Sequence, residues 1–248
     1  MIPYNIETIR KNFEESFKEE NFYNKQTADN NHLELLLHLI DPEPNSVILD
    51  LGTGSGYVAF MLAERYPDCR VIGLDIITET LERNRKKAAL QSNYNLSFLS
   101  YDGMKYPFED ESIDIVVTRY ALHHFPNPAD SFKEVYRILK NVGKIVIADP
   151  TPNRNDTSGF VDEYMRVKPD GHIKFYSFAE LNEILETAGF QYRSNQISKI
   201  RFPRKNPSAY QYLFEKYDSD IWEGYNITIA DSEIWITENV LNMVYKKV

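Results

Sequence analysis

Val47-Ile48-Leu49-Asp50-Leu51-Gly52-Thr53-Gly54-Ser55-Gly56 reads as a buried strand running into a glycine loop. In a parallel α/β sheet that junction is where a nucleotide-like ligand sits. Gly52, Gly54 and Gly56 lack a Cβ, so the loop can turn sharply and bring its backbone close to a ligand. Glycine turns between strand and helix also arise for packing alone, so the weight falls on the surroundings. Tyr57 to Tyr66 carries Val58, Ala59, Met61, Leu62 and Ala63 with helical spacing, and Arg70-Val71-Ile72-Gly73-Leu74-Asp75 is a second buried strand ending in an acid. Together they predict a βαβ unit. Asp75, about twenty residues beyond the glycines, is placed to accept hydrogen bonds from both ribose hydroxyls of an adenosyl ligand.

The same geometry serves a nicotinamide dinucleotide, and two features separate the readings. Asp50 puts a second carboxylate at the end of the first strand, where it repels a pyrophosphate but tolerates a ligand carrying an ammonium and a sulfonium. The dinucleotide fingerprint is G-x-G-x-x-G, whereas position 57 is Tyr. Both favour S-adenosylmethionine.

With these residues in view the chain resembles the class I S-adenosylmethionine-dependent methyltransferases, and among them the methyltransferase-11 type that includes the ubiquinone and menaquinone C-methyltransferases. The likeness covers residues 45 to 190. It rests on Asp50 to Gly56, on Gly73-Leu74-Asp75-Ile76, on Tyr101-Asp102-Gly103-Met104-Lys105-Tyr106-Pro107-Phe108, and on Asp114-Ile115-Val116-Val117 followed by Ala121-Leu122-His123-His124-Phe125. The resemblance implies a Rossmann-like α/β fold with a seven-stranded, mostly parallel sheet, helices on both faces and an antiparallel last strand. It implies that the loop from Gly52 through Thr53, Gly54 and Gly56 holds the methionine end, that Asp75 binds the ribose, that Ile76 packs on the adenine, and that Asp102 accepts from the adenine amine with Gly103 and Met104 nearby. Arg119 joins this cofactor set. Two duller alternatives stand beside it: Asp102 can begin a turn with Gly103, and Asp75 can cap the helix that starts near Thr78.

Three segments are expected: an N-terminal helical cap over 1–44, a cofactor-binding core over 45–202, and an inserted helix with a final strand over 203–248. Ile6, Ile9, Phe13 and Phe17 recur at helical intervals, and Leu33 to Ile40 forms a second helix before the Asp41-Pro42-Glu43-Pro44 turn. In the family such helices cover the cofactor, which puts Tyr23 and Gln26, on the link between them, near the methionine carboxylate; an ordinary surface loop is the alternative. Asn127-Pro128 opens a helix to Lys140, and Lys144 to Asp149 is the fifth strand. Between them Asn141-Val142-Gly143 stands where the family has Pro-Gly-Gly. Ser177-Phe178-Ala179-Glu180 is a capping box and Gly189 a natural helix stop. Phe190 to Phe202 reads as strand six, Asn206 to Tyr217 as the inserted helix, and Glu233 to Tyr245 as strand seven, paired antiparallel with six as in the family. The aromatic run Tyr210, Tyr212, Phe214, Tyr217, Trp222 and Tyr225 is read as core, with a substrate lid or dimer surface as alternatives.

Arg119-Tyr120-Ala121-Leu122-His123-His124-Phe125 leaves the sheet at its carboxyl edge, where ligands of open α/β sheets bind. An imidazole near pKa 6.5 suits a phenol, enol or activated carbon acid as acceptor. His124 is the candidate catalytic base, and Tyr120 and His123 are candidate acceptor contacts; the alternative is that the histidine pair only fixes the loop. The quinone C-methyltransferases generally show Arg-Asn at His123-His124, so a quinone precursor is not assigned. Phe160 to Val167 is expected as a short helix over the pocket. The family carries a histidine-aromatic element ahead of the capping box, which puts His172 and Tyr176 against the acceptor.

Composition narrows the field. At 248 residues and 42% hydrophobic content the chain can bury a substantial core. Thirty-seven acidic against 28 basic residues give a net charge of −9, which disfavours a nucleic-acid partner. A single cysteine, Cys69, excludes an internal disulfide and a cysteine-rich metal site. The absence of a signal segment and of any run of about twenty apolar residues gives the expectation of a cytoplasmic protein without a membrane span. The reading is a metal-free enzyme, monomer or homodimer, that moves the methyl group of S-adenosyl-L-methionine to a small-molecule acceptor on O, N or activated C and leaves S-adenosyl-L-homocysteine. Its rivals are a nicotinamide-dependent oxidoreductase and a noncatalytic S-adenosylmethionine-binding protein.

Overall fold

The strand entering the glycine loop, β1 (Val47–Leu51), lies at the middle of a parallel sheet, paired with β2 (Arg70–Asp75) on one side and β4 (Ile113–Arg119) on the other. The computed structural model describes Lys11 and residues 28–248; the predicted first helix over Ile6 to Phe17, and Tyr23 and Gln26, lie outside the described residues. β3 (Leu96–Ser100) adds to β2, and β5 (Leu139–Thr151) adds to β4, all parallel. Two long strands complete the sheet. β8 (Glu233–Lys247) runs antiparallel between β5 and β6 (Phe190–Lys205), giving the order β3-β2-β1-β4-β5-β8-β6. A three-residue strand, β7 (Thr228–Ala230), pairs with the start of β8 and makes the count eight rather than seven.

Alternation along the strands sorts the core into two layers, because successive side chains point to opposite faces. Ile48, Val71, Phe98, Val117 and Val146 meet α1 (Asn30–Ile40), α2 (Tyr57–Arg65) and α3 (Thr78–Leu90) through Leu36, Ile40, Leu62 and Leu81. Their neighbours Leu49, Ile72, Val116 and Ile145 meet α4 (Pro128–Ile138) and α6 (Phe178–Thr187) through Phe132, Val135, Leu181 and Leu185. The helix expected to reach Lys140 stops at Ile138, because Leu139 already pairs with Ile113 and opens β5. Val142, at φ +61°, absorbs the irregularity between the helix and the regular ladder from Lys144.

The Ser177 capping box forms as read: the hydroxyl accepts from the Glu180 N–H while the Glu180 carboxylate accepts from the Ser177 N–H. Ser177→Ala is expected to cost about 1 kcal/mol, seen as a lower denaturation midpoint at unchanged slope.

Of the aromatic run of the last third, Tyr210 and Tyr225 are buried, Phe214, Tyr217 and Trp222 pack half-buried against the core, and Tyr212 is exposed. After a 3-10 turn (Pro207–Tyr210) come α7 (Gln211–Lys216) and α8 (Ser219–Glu223). Tyr210 and Tyr225 are buried against α5 (Phe160–Arg166), with ring centroids 4.5 Å (Tyr164–Tyr210) and 5.6 Å (Phe160–Tyr225) apart. α5 is held at its start by Asp156, whose carboxylate accepts from the Gly159, Phe160 and Val161 N–H groups and from the Tyr225 hydroxyl. Among the described residues no helix is long and apolar enough to cross a membrane.

Candidate active site

The turn after β1 is a cradle shaped by buried acids. Gly52, Gly54 and Gly56 take φ of +73°, +49° and +81°, in the left-handed region that favours glycine. A Cβ on Gly52 would stand 2.5 Å from the Cβ of Ala121, so the loop rests directly on the turn after β4. The Asp50 carboxylate accepts from Thr53 Oγ1 at 2.6 Å and from the Ala59 N–H at 3.1 Å, tying the loop to the first turn of α2. Burial raises Asp50 to about 6, against the pull of those two donors. Asp75 accepts from the Gly54 N–H at 2.8 Å and the Ile77 N–H at 3.0 Å, and Asn84 Nδ2 donates to the Gly54 carbonyl. Burial raises Asp75 as well. The N-cap position of α3 is Ile77, so Asp75 serves the loop rather than capping that helix.

At the rim, Ile76 is half-buried and Asp102 exposed. The Asp102 carboxylate accepts from the Met104 and Lys105 N–H groups across Gly103, at φ +87°, and these donors hold it below its ordinary range. The local turn is therefore real, and Met104 is exposed beside it.

Arg119, the last residue of β4, is buried between the rings of Tyr57 and Tyr120, each 4.9 Å from its guanidinium carbon. Its Nε donates to His32 Nδ1 at 3.2 Å, and His32 Nε2 lies 2.9 Å from Asn242 Oδ1. An Nδ1 that accepts from arginine leaves the ring proton on Nε2 for Asn242, so the chain of bonds selects a neutral imidazole. Burial, followed by the Arg119 charge, pushes His32 down to about 4. A helix (α1), a central strand (β4) and the last strand (β8) are thereby locked at one point beside the glycine loop.

Tyr120 takes φ +53°, an uncommon conformation for a bulky residue. The chain then enters a 3-10 turn (Leu122–His124) that buries both histidines. His123 Nδ1 meets both Asp149 oxygens, at 3.1 and 2.9 Å, and its carbonyl accepts from the Ile173 and Lys174 N–H groups. His172 Nε2 pairs with Asp162 Oδ1 at 2.8 Å, and the same oxygen accepts from the Phe175 N–H. Ring centroids of His123 lie 4.1 Å from His124 and 5.4 Å from His172. Burial holds His123 well below its ordinary value and takes His124 to about 3. His124 is therefore a neutral imidazole of weak proton affinity, which counts against the base role read for it from its position in the chain.

These side chains open onto one enclosed cavity of about 70 Å³. Tyr120, His123, His124 and His172 line it together. Tyr176 does not; its ring packs against the second core layer and under the Lys174 ammonium, because its carbonyl is drawn to the Thr151 hydroxyl. Met165 of α5 closes one side. Asp170, Phe175, Phe202, Arg204 and Glu238 complete the lining and were not picked out by any motif. One of them carries a legible signal: Ile234, Ile236, Glu238 and Val240 alternate on one buried face of β8, so an acid occupies a core position. Among the described residues no group of three or more His, Cys, Asp or Glu side chains is arranged to hold a metal ion.

A family model described as a methyltransferase domain matches residues 42–192. The chain is 27% identical over 173 residues to an uncharacterised methyltransferase, YcgJ, of Bacillus subtilis, covering 69% of this chain and 68% of that one. Against the ubiquinone/menaquinone biosynthesis C-methyltransferase UbiE of Rickettsia felis the identity is 31% over 182 residues, 71% of this chain and 63% of the relative. The chain thus spans just under two thirds of that relative's length. The crystal structure of the B. subtilis YcgJ protein superposes with a TM-score of 0.74 at 22% identity, covering 88% of this chain and 99% of the other.

Proposed function

The chain belongs to the methyltransferase-domain family, and on that premise we propose that it moves the methyl group of S-adenosylmethionine to a small molecule held in the cavity beside the histidine pair. One observation carries the reading: the glycine cradle rests on Ala121, the residue that leads into His123 and His124, so a ligand in the cradle and an acceptor in the cavity face each other across one turn.

The residues present fit S-adenosylmethionine. Asp75, set at the end of β2 with its carboxylate on the cradle, takes the ribose hydroxyls, and Ile76 packs on the adenine. Arg119, fixed between two rings beside Asp50, takes the methionine carboxylate, for which a guanidinium is the natural partner. Asp50 supplies the opposite charge near the amino group, through the loop it organises. Asp102, exposed in its own turn, has a minor part at the adenine edge. When bound, the cofactor supplies an activated methyl. The protein orients the acceptor and excludes water, since in-line transfer gains most from positioning and desolvation. His123 is fixed by Asp149 and His172 by Asp162, so both present a set ring face to the acceptor.

Titration calorimetry of S-adenosylmethionine, S-adenosylhomocysteine and NADH tests the reading. Micromolar binding of the two adenosyl-sulfur ligands is expected, weakened tenfold or more by Asp75→Ala at unchanged overall fold. Binding of NADH instead would replace the reading with a nicotinamide-dependent oxidoreductase. Binding without turnover on any acceptor would leave a noncatalytic adenosyl-binding protein.

A further inference from the structure

Most of the described acids around the two ligand sites are held by hydrogen bonds or an ion pair, and Glu238 is the least supported of them. Asp50 and Asp75 hold the cradle. Asp149 accepts from His123, Asp162 from His172 and the Phe175 N–H, and Asp170 faces the Lys168 ammonium at 3.6 Å. Glu238 is buried, and the Tyr120 hydroxyl is the side-chain donor nearest its carboxyl group, without good hydrogen-bond geometry to either oxygen. A buried acid without a partner costs several kcal/mol, and native proteins retain one where a ligand or a reaction completes it.

The surroundings say what completes it. Glu238 lines the cavity with Tyr120, Phe175, Phe202, Asp170 and Arg204. The Tyr120 hydroxyl is buried without a bond of good geometry and stands close enough to influence the acid. Arg204 favours the ionised acid, yet its guanidinium is turned to the Phe202 ring, 4.8 Å from the centroid, and to Met165 Sδ at 3.3 Å. Asp149 and Asp170 act on Glu238 in the opposite sense. The wall therefore offers a carboxyl group whose nearest donor is poorly aligned, with Asp170 and aromatic faces beside it and the Arg204 guanidinium engaged by Phe202 and Met165, an arrangement with a place for a compact cation at Glu238. A cavity of about 70 Å³ has room for on the order of five non-hydrogen atoms.

We propose that the methyl acceptor is a small aliphatic primary or secondary amine, recognised through its nitrogen by Glu238 and walled by Tyr120, Phe175 and Phe202. This rests on the methyltransferase reading above and deepens it. The amine arrives as the ammonium, and the proton it must lose before attack passes to Glu238. The nitrogen lone pair then forms the C–N bond as the C–S bond of the sulfonium breaks. Its electron pair leaves with sulfur as a neutral thioether, and the methylated nitrogen carries the positive charge until its own proton is shed. His124 has too little proton affinity for this duty, whereas burial sets Glu238 at about 8.

That state makes the idea testable by binding alone. At pH 7 an ammonium that pairs with Glu238 displaces the proton held there, so binding releases close to one proton per ligand. Isobutylamine, n-propylamine and pyrrolidine, with isobutanol and propionate as controls, would be titrated into the protein saturated with S-adenosylhomocysteine, in two buffers of different ionisation enthalpy. The expected result is binding of the amines with proton release, and affinity at least tenfold weaker with no release in Glu238→Gln, while S-adenosylhomocysteine binds the variant within twofold of wild type. Amines that fail to bind, bind without releasing a proton, or bind Glu238→Gln equally well would overturn the proposal, as would preference for the alcohol or the acid. If Glu238→Gln does not fold, the proton count on the wild type decides alone. A wild type that does not bind S-adenosylhomocysteine would instead fail the methyltransferase reading, which is a different result.

Discussion

Gly52→Ala is expected to lower S-adenosylmethionine affinity at least a hundredfold and to destabilise the fold by about 2–5 kcal/mol, the sum of two separate costs. The first is conformational: φ at position 52 is +73°, where an L side chain costs about 1–2 kcal/mol. The second is steric: the new Cβ would lie 2.5 Å from the Ala121 Cβ, an overlap of the kind that costs about 1–3 kcal/mol in a packed interior. Neither side of that contact can yield easily. The Gly52 and Thr53 N–H groups are bonded to the Leu74 carbonyl, and Ala121 leads into a turn that is pinned by the His123–Asp149 pair. Relief has to come from moving the loop, which is the surface the cofactor would use. The two costs can be separated by adding Ala121→Gly, which removes the overlap and leaves the φ penalty. The double variant should recover most of the affinity and only part of the stability, measured by calorimetry and chemical denaturation. Affinity unchanged in Gly52→Ala would mean that the cradle is not where the cofactor binds.

The legible part of this protein is the part built from periodicity and local turn chemistry. The βαβ unit, the Asn127-Pro128 helix start, the Ser177 capping box and the Gly189 stop all depend on residues within a few positions of one another, and each forms where the sequence places it. The pairing of β6 with β8 was legible through the family resemblance, although the ladder runs longer than the strands read from the sequence. The acceptor cavity was half legible. Tyr120, His123 and His124 follow a strand end in a recognisable way, but Asp149, which pairs with His123, Asp162, which pairs with His172, and Glu238 come from β5, α5 and β8, and no spacing in the chain reports that they meet. His32 is similar: on α1 it looks like any histidine of an amphipathic helix, and its link to Arg119 and Asn242 exists only after the sheet has formed. Charge states were the least legible. A histidine read as an ordinary imidazole becomes a weakly basic one because burial removes the water that would stabilise its cation.

Those buried groups also fix how stability should vary with pH. Carboxyl groups raised in the fold bind a proton that the unfolded chain has already lost, so their contribution is present at low pH and disappears as pH rises through the folded value. Asp50, Asp149 and Glu238 behave this way, with folded values of about 6, 7 and 8, and Asp75 is raised in the same sense. Histidines lowered in the fold act in the opposite sense, because below about pH 6.5 the unfolded chain binds protons that the fold refuses. His32, His123 and His124 are of this kind. Between roughly pH 4.5 and 6 the two sets oppose each other, and the net change in stability should be small. Above pH 6.5 the histidines of the unfolded chain lose their own protons and the opposition fades. Glu238, with a smaller share from Asp149, is left to titrate, and stability should fall by roughly 1–2 kcal/mol from pH 6.5 to 8, at about 1.36 kcal/mol per group per pH unit. Urea denaturation across that range would show the decline, and Glu238→Gln, which cannot ionise, should flatten most of it while raising stability at pH 8. A decline of equal size in wild type and Glu238→Gln would place its origin elsewhere. A saturating amine should also flatten the curve, because a bound ammonium gives the ionised acid a partner of opposite charge.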